Sequence, residues 1–367
     1  MSVITDPPYA FMGLLGISAK GKVHVQTEAN YFKISTEGGL PDRAPDSLRT
    51  FRDSMSFHNY ASVTASSPQL LIELLDHKVT MEDWMMSHGV PLETALSRKA
   101  RALCNTWQFA LQSCLQFPVY PIFCGFVIQG RDYWAYVRAD AAAAYSGRVE
   151  QAREHRTILL GKDSFTELEN CLNMASRINY DFFPVSVYLE AFNQIDNQVH
   201  PFLDLIRALE GLYFPSQPSS ESGFTKMLCK VVAFCLSKTD EGRVALGKMI
   251  ADLYEVRSTL FHGREIVFEY DKEASSLILK GDPIFKKLKY LKDGSWNTLL
   301  SEARSIVERS ILFLNECKAL GNEERTEALV KLARIEKPEV AGLEDDLDRA
   351  RDEFSIEYPA DWPPPRM

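Results

Sequence analysis

The sequence predicts an α+β protein in which an N-terminal mixed α/β domain is followed by an all-α helical bundle with a small hairpin insertion. Short β-like runs, separated by Gly or polar residues, occupy the first part of the chain. Four long segments then carry apolar residues at steps of three and four, a spacing typical of helices that bury one face. We expect domains at residues 1–157 and 158–321, followed by an acidic, Pro-rich tail at 322–367.

The N-terminal domain opens with three β-like runs at Tyr9–Ile17, Lys22–Gln26 and Tyr31–Ser35. The polar stretch Asp42–Asn59 predicts a loop or an irregular helix. Pro91 can occupy the first position of a long helix, where its missing N–H costs nothing. Phe123–Ile128 and Tyr133–Ala139 flank a Gly-containing turn and predict a β-hairpin, and Asp140–Arg156 returns to helical character. No nucleotide-binding loop or nucleophile motif occurs in this half, so its role is not readable from the sequence.

The helical part begins with two lead-in segments, Ser164–Arg177 and Val185–Gln198. The four main apolar stripes lie at 202–213, 224–236, 244–262 and 299–317, and we expect them to pack as one antiparallel bundle. Thr239, followed by two acidic residues, predicts the start of the third of these helices. Glu265–Tyr270 and Ser276–Leu279 predict a hairpin inserted after that helix.

The end of the third helix carries a cation where an apolar residue is expected. Leu246, Ile250 and Leu253 recur at steps of four and three, and Arg257 is the next step on the same stripe. Charged residues are almost never fully buried unless they are paired. The stripe therefore predicts that Arg257 faces a partner, an anion or a subunit interface.

His262 lies five residues beyond Arg257, which is about 140° around a continuous helix. The two side chains converge within one chain only if the helix breaks between them. Gly263 is a plausible residue to end the helix and leaves His262 in its last turn. An Arg and a His brought together at a helix end suit the binding of a phosphate.

The motif Tyr-x2-Arg-Ser-x3-His-Gly, which begins at Tyr254, is preceded by Ala208-Leu209-Glu210-Gly211-Leu212-Tyr213. This combination resembles the HEPN superfamily, and most closely its Apea-like branch. The matching segments span roughly residues 165 to 320, less than half of the chain. The resemblance implies an all-α bundle that dimerises and, in many members, a metal-independent endoribonuclease.

The resemblance also implies roles for individual residues. Arg257 and His262, together with Ser258, would be catalytic, whereas Glu210 and Tyr254 would support the site. Glu210 is otherwise interpreted as a boundary residue that pairs with a Lys or Arg, and Tyr254 as a packing residue. In this family two copies of the motif meet across a dimer interface, so Arg257 would need no partner inside its own chain. RNA would be the substrate, and a neutralising or triggering protein a further partner.

The charge distribution neither requires nor excludes an RNA-cleaving site. The formal net charge is −9, and residues 321–367 hold 13 Asp/Glu against 7 Lys/Arg. This balance argues against a general nucleic-acid binder, which carries a basic face. The one basic cluster comprises Lys280, Lys286, Lys287, Lys289 and Lys292. Both a solvated face and an RNA-backbone contact stay open for it.

The cysteine spacing and the lengths of the apolar runs bear on the cellular compartment of the protein. Seven cysteines, none spaced as Cys-x2-Cys and several within apolar stretches, predict buried free thiols rather than a zinc site. No apolar run reaches the roughly 18–20 residues of a membrane span, and residues 1–8 lack a signal pattern. We expect a cytoplasmic homodimer without metal or cofactor.

Two functions follow from these observations. The first is an endoribonuclease that cleaves RNA by attack of its own 2′-OH, in the manner of the toxins and antiviral defence effectors of the HEPN superfamily. The second is a non-catalytic HEPN module that binds a nucleotide or a partner protein. The intact Arg-Ser-x3-His pattern favours the first.

Overall fold

The structure is a computed structural model of the whole chain. It describes residues 9–15, 17–19, 22–26, 30–35, 44–55, 70–77, 92–115, 119–128, 131–136, 158–160, 170, 173, 175, 183–193, 199–214, 223–262, 268–271, 276–279, 288, 296–316 and 343–356. These residues form helices and an antiparallel sheet, which confirms the α+β class. Among them, no helix is both long and apolar enough to cross a membrane.

The chain divides into two compact units, Met1–Phe182 and Phe183–Met367. The sequence predicts a first boundary at residue 157, whereas strand Ile158–Leu160 pairs with Ile17–Ala19 and so belongs to the first unit. The sequence also predicts a tail from residue 322. Within that segment, Leu343–Phe354 is a helix of the second unit.

The first unit is built on a six-stranded sheet in which all neighbouring strands are antiparallel. The strands of the unit are β1 (Tyr9–Leu15), β2 (Ile17–Ala19), β3 (Lys22–Gln26), β4 (Asn30–Ser35), β5 (Leu70–His77), β6 (Tyr120–Ile128), β7 (Arg131–Tyr136) and β8 (Ile158–Leu160). The order in the sheet is β3-β4-β5-β1-β6-β7, while β2 and β8 form a separate parallel pair. The predicted N-terminal runs and the β6–β7 hairpin are confirmed. The predicted helix at Asp140–Arg156 lies outside the described residues.

Two helices accompany this sheet, α1 (Asp46–Met55) and α2 (Leu92–Leu115). The first lies within Asp42–Asn59, for which the sequence predicts either a loop or an irregular helix. The second is the helix predicted after Pro91, and it packs against β6 and β7. Its buried Gln108 Nε2 donates a hydrogen bond to the Val119 carbonyl at 2.9 Å, which ties the helix to the segment entering β6.

Strand β5 has no counterpart among the sequence predictions, although it is the neighbour of β1 inside the sheet. Its Glu73 is only 1% exposed and forms an ion pair with Lys33 Nζ of β4 at 3.1 Å. The two residues are register partners, so their side chains lie on the same face of the sheet. A buried carboxylate needs such a partner, because an isolated charge is costly away from water.

On strands β1 and β6, two aromatic rings each lie over a glycine of the opposite strand. Phe11 is the register partner of Gly125, and Gly13 is the register partner of Phe123. A Cβ atom on Gly125 would lie 2.1 Å from Phe11 Cζ, and one on Gly13 would lie 2.5 Å from Phe123 Cζ. Each ring therefore occupies the space that a side chain on the opposite strand would need.

The second unit contains six described helices and one hairpin. They are α3 (Phe183–Asn193), α4 (Val199–Tyr213), α5 (Phe224–Leu236), α6 (Asp240–Phe261), β9 (Phe268–Asp271), β10 (Ser276–Leu279), α7 (Trp296–Glu316) and α8 (Leu343–Phe354). The predicted stripes thus coincide with α4 to α7, and the hairpin follows α6 as expected. Leu253 of α6 and Phe313 of α7 are both fully buried in this unit.

The packing of α4, α5 and α7 fixes the position of α6. All six apolar residues predicted to form the α4 stripe are buried: Phe202, Leu205, Ile206, Leu209, Leu212 and Tyr213. The Tyr213 hydroxyl meets Ser310 Oγ of α7 at 3.2 Å, and α6 packs against both α4 and α5. At the start of α6, the Thr239 side chain accepts a hydrogen bond from the Gly242 N–H at 3.0 Å, which confirms the predicted cap.

Helix α8 closes the carbonyl end of α5. Arg351 is nearly buried, and its Nε and Nη2 atoms donate to the Phe234 carbonyl at 3.2 and 3.0 Å. The same guanidinium lies 4.4 Å from the centre of the Phe234 ring. The Ile356 N–H donates to the Leu236 carbonyl at 2.6 Å. These contacts satisfy carbonyls that a helix end otherwise leaves without intrahelical partners.

Candidate active site at the end of helix α6

Helix α6 runs without interruption past Arg257 to Phe261. His262 is the C-cap, with φ −84° and ψ 11°, and its N–H donates to the Ser258 carbonyl at 3.1 Å. Gly263, the predicted stop, lies outside the described residues. Because the helix does not break, Arg257 and His262 point in directions about 140° apart. The condition for their convergence within one chain is not met.

Arg257 has a partner inside its own chain. Its Nη2 atom lies 3.5 Å from Glu210 Oε1, and the two side chains are 24% and 16% exposed. The prediction that Arg257 needs no such partner is therefore wrong, because α4 lies beside α6 and brings a carboxylate to the stripe. Glu210 behaves instead as the boundary residue that pairs with an Arg.

Tyr254 fixes the carboxylate that meets Arg257. Its hydroxyl donates to the same Glu210 Oε1 atom at 2.9 Å. Burial, and then the negative charge of Glu210, raise the pKa of Tyr254 well above the ordinary value of a phenol. Tyr254 therefore stays protonated and serves as a hydrogen-bond donor, which agrees with its interpretation as a packing residue.

The described residues leave most N–H donors of the Arg257 guanidinium unused. Its contact to Glu210 is an ion pair at the long end of the hydrogen-bond range. In the part of the chain that the structure describes, the Arg257 side chain forms no hydrogen bond. Its second neighbour is the Phe261 ring, whose centre lies 4.9 Å from the guanidinium carbon. A partly exposed guanidinium with unused N–H groups can accept a planar or tetrahedral anion.

Ser258 and His262 lie on a different face of α6. They are four residues apart, so they are neighbours on the helix surface. Ser258 is half-buried and His262 is exposed. The imidazole meets the Phe261 ring edge-on at 6.2 Å between ring centres. The structure thus joins Glu210, Tyr254 and Arg257 in one group, and among the described residues Phe261 links His262 to that group.

Phe261 is the residue of this site that the sequence reasoning misses. It contacts both Arg257 and His262, and 69% of its surface is exposed. The available signal was its place four residues after Arg257, on the same face of the helix and directly before the His. An aromatic residue on an apolar stripe is ordinarily assigned to the core.

Replacing Tyr254 tests the group around Glu210. We expect Tyr254→Phe to lower the free energy of unfolding at pH 7 by about 1–2 kcal/mol, because Glu210 loses a hydrogen bond. Above pH 10 the unfolded wild type gains stability by ionising this phenol, whereas the folded protein does not. The difference in free energy of unfolding between the wild type and Tyr254→Phe should therefore narrow by up to about 1.4 kcal/mol per pH unit. Urea unfolding between pH 7 and 11 measures this, and a constant difference would contradict it.

The cysteines whose side chains the structure describes are buried free thiols, as predicted. These are Cys104, Cys124, Cys229 and Cys235. Burial raises the pKa of Cys229 to about 12, so it is a poor nucleophile at neutral pH. Within the described ranges, no group of three or more His, Cys, Asp or Glu side chains could hold a metal ion.

Comparison with known proteins adds no family to these observations. No protein-family model, no curated protein and no solved structure matches the chain. The resemblance to the HEPN superfamily therefore depends on the quoted motif residues alone.

Proposed function

We propose that the protein is a metal-independent endoribonuclease with an Apea-like HEPN bundle as its second unit. One observation carries this proposal: a single helix end presents an exposed imidazole and, five residues before it, a guanidinium that forms no hydrogen bond with any described residue. Arg257 supplies the guanidinium and His262 the imidazole. These are the two groups that RNA cleavage by internal attack requires.

The proposed chemistry uses the 2′-OH of the substrate as the nucleophile. Attack on the adjacent phosphorus forms the P–O2′ bond and breaks the P–O5′ bond, which leaves a 2′,3′-cyclic phosphate and a 5′-hydroxyl. Arg257 would hold the phosphate oxygens through two parallel N–H donors as negative charge accumulates. His262 would move a proton as general acid or base, and Ser258 would orient the scissile group.

The continuous helix favours a site built from two copies of the chain. Within one chain, Arg257 and His262 lie on different faces of α6, so a single phosphate does not readily contact both. A two-fold homodimer would place Arg257 of one copy opposite His262 of the other in a shared cleft. Light scattering at micromolar concentration should then give twice the mass of the 41.6 kDa chain.

The direct test is incubation of the purified protein with total RNA in the presence of EDTA. We expect cleavage fragments that end in a 2′,3′-cyclic phosphate, since no metal takes part in the proposed step. Loss of cleavage on adding EDTA, or products with a 3′-hydroxyl, would contradict this mechanism. Within this proposal the enzyme acts in the cytoplasm as a toxin or defence effector, with a protein that neutralises or triggers it.

The second candidate is a non-catalytic HEPN module that binds a nucleotide or a partner protein. The ion pair between Glu210 and Arg257 favours it, because a guanidinium held by a carboxylate and an aromatic ring can serve a structural purpose. The two candidates differ in a simple observation. A binding module retains its ligand when His262 is replaced and cleaves no RNA under any condition.

A further inference from the structure

Phe261 lies on the face of α6 that is buried farther up the helix. Leu246, Ile250 and Leu253 on that face are fully buried, Arg257 is 24% exposed and Phe261 is 69% exposed. Exposure thus rises along one stripe toward the end of the helix. Phe261 is the last residue of the stripe in α6, and its aromatic ring is largely exposed.

The neighbours of this ring are polar. The Arg257 guanidinium lies 4.9 Å from its centre, and the His262 imidazole meets it edge-on. A cation near an aromatic ring is held by the ring's negative face, so Arg257 and Phe261 orient each other. The result is one flat apolar surface beside the guanidinium that the proposed site uses to bind phosphate.

The apolar surface at Phe261 is too small to hold a protein partner by itself, so a second copy that shares the cleft needs further contacts elsewhere. Within the described residues, the only other large hydrophobic residue that is exposed is Val244. It lies 17 positions earlier on α6, which is about 25 Å along the helix axis. The two residues do not form a contiguous patch, whereas protein interfaces bury several hundred Å² per partner. A nucleobase needs only one ring to stack on.

We propose that Phe261 stacks the nucleobase next to the scissile phosphate and so sets that phosphate against Arg257 of the same chain, facing His262 of the other copy. This inference rests on the proposed ribonuclease function and names the element of the substrate that the site grips. Stacking requires an unpaired base, so the substrate is a single-stranded segment of RNA. Every base has a flat face, so the contact positions the chain without strongly selecting its sequence.

The test uses the full-length protein and a short single-stranded RNA with 2′-O-methyl groups, which cannot be cleaved. Its dissociation constant is measured by fluorescence anisotropy for wild type, Phe261→Ala, Phe261→Leu and Phe261→Tyr. We expect the Ala and Leu variants to bind roughly 5- to 100-fold more weakly, and the Tyr variant to match wild type. Val244→Ala is the matched control, since it trims the other exposed apolar side chain of the same helix.

An abasic nucleotide moved along the oligonucleotide separates base stacking from positioning of Arg257. At one position, removing the base should weaken RNA binding by the wild type by the same factor as the Phe261→Leu substitution does. The same removal should not weaken RNA binding by the Phe261→Leu variant any further. Equal binding by wild type and Phe261→Leu would overturn the inference, as would additive losses. If Phe261→Ala dissociates a dimer while Phe261→Leu keeps both the dimer and RNA affinity, the residue joins two copies instead.

Failure of the inference is distinguishable from failure of the proposed function. A wild-type protein that neither binds nor cleaves RNA overturns both. A wild-type protein that cleaves RNA at the same positions and rate as Phe261→Leu overturns the stacking role alone and leaves the ribonuclease proposal standing.

Discussion

Arg257→Ala and His262→Ala are each expected to reduce RNA cleavage by roughly 10²- to 10⁴-fold, the usual cost of losing a proton shuttle or a phosphate clamp. Both side chains lie at the end of α6 and outside its fully buried layers, so the fold should persist. Arg257→Lys should restore little, because an ammonium group cannot offer two parallel donors to one phosphate. Initial cleavage rates on a labelled RNA, with circular dichroism as a check of folding, measure these effects.

A mixture of the two inactive variants tests whether two copies share the site. Co-expressed Arg257→Ala and His262→Ala chains form mixed dimers in which one shared cleft retains both groups. Part of the cleavage activity should return in such a mixture and in neither variant alone. No recovery from demonstrated mixed dimers would mean that each chain acts by itself.

The internal control is a second Arg and His with similar spacing. Arg52 lies in α1 of the first unit, and His58 lies outside the described residues. Arg52→Ala and His58→Ala should leave cleavage unchanged, because this pair lacks the following Gly and the upstream Leu-Glu-x-Leu-Tyr sequence. Loss of activity in these variants, with activity retained in the Arg257 and His262 variants, would refute the proposed site.

Gly125→Ala is expected to lower the free energy of unfolding more than any other substitution proposed here. The loss should reach or exceed the upper end of the roughly 1–3 kcal/mol that is typical of overpacked cores. The new methyl group would lie 2.1 Å from Phe11 Cζ, and Phe11 is buried and cannot swing aside. Without this collision, Ala would stabilise the strand by about 0.5–1 kcal/mol relative to Gly. A loss of stability in Gly125→Ala, instead of a gain, therefore indicates the collision. Calorimetric unfolding of the full chain measures it.

Two further variants isolate the ring as the cause. Phe11→Ala should make Gly125→Ala far less damaging, since the colliding atoms are then absent. Gly247→Ala in α6 is the matched control, because its nearest contact would be the Ala233 Cβ at an ordinary 3.8 Å. That substitution should be neutral or slightly stabilising in a helix. If Gly125→Ala costs as little as Gly247→Ala, the proposed fit between ring and glycine is wrong.

The helices of the second unit could be predicted from the sequence because each one buries a single face. The α4 stripe and the Thr239 cap are local patterns of three to twelve residues, and α5 has the bounds that its apolar run indicates. The hairpin after α6 follows from two short β-like runs. Local periodicity is sufficient for elements of this kind.

Strand β5 could not be recognised by the same means. Its sequence, Leu70-Leu71-Ile72-Glu73-Leu74-Leu75-Asp76-His77, is rich in Leu and does not alternate between apolar and polar residues. Glu73 is buried because Lys33 on a neighbouring strand neutralises it. A short apolar run bounded by polar segments was the available signal, and such a run does not distinguish a strand from a helix.

The sequence names the residues proposed for the site but not how they are arranged. The motif residues are contiguous in sequence, whereas the ion pair joins Glu210 to a residue 47 positions later. Only the packing of α4 beside α6 brings the two together. The exposure of Phe261 also depends on how other helices pack around α6, which the sequence of α6 does not encode.

The contact of Arg351 in α8 with the carbonyl end of α5 has a consequence for the chain during its synthesis. Arg351 and the Phe234 carbonyl that it caps are 117 residues apart in the sequence. At roughly 5–20 residues per second, a ribosome needs about 6–23 seconds to add that stretch. During this interval the carbonyl end of α5 is complete but lacks its cap. A newly made chain therefore passes through a period of several seconds in which chaperones and proteases can reach that end.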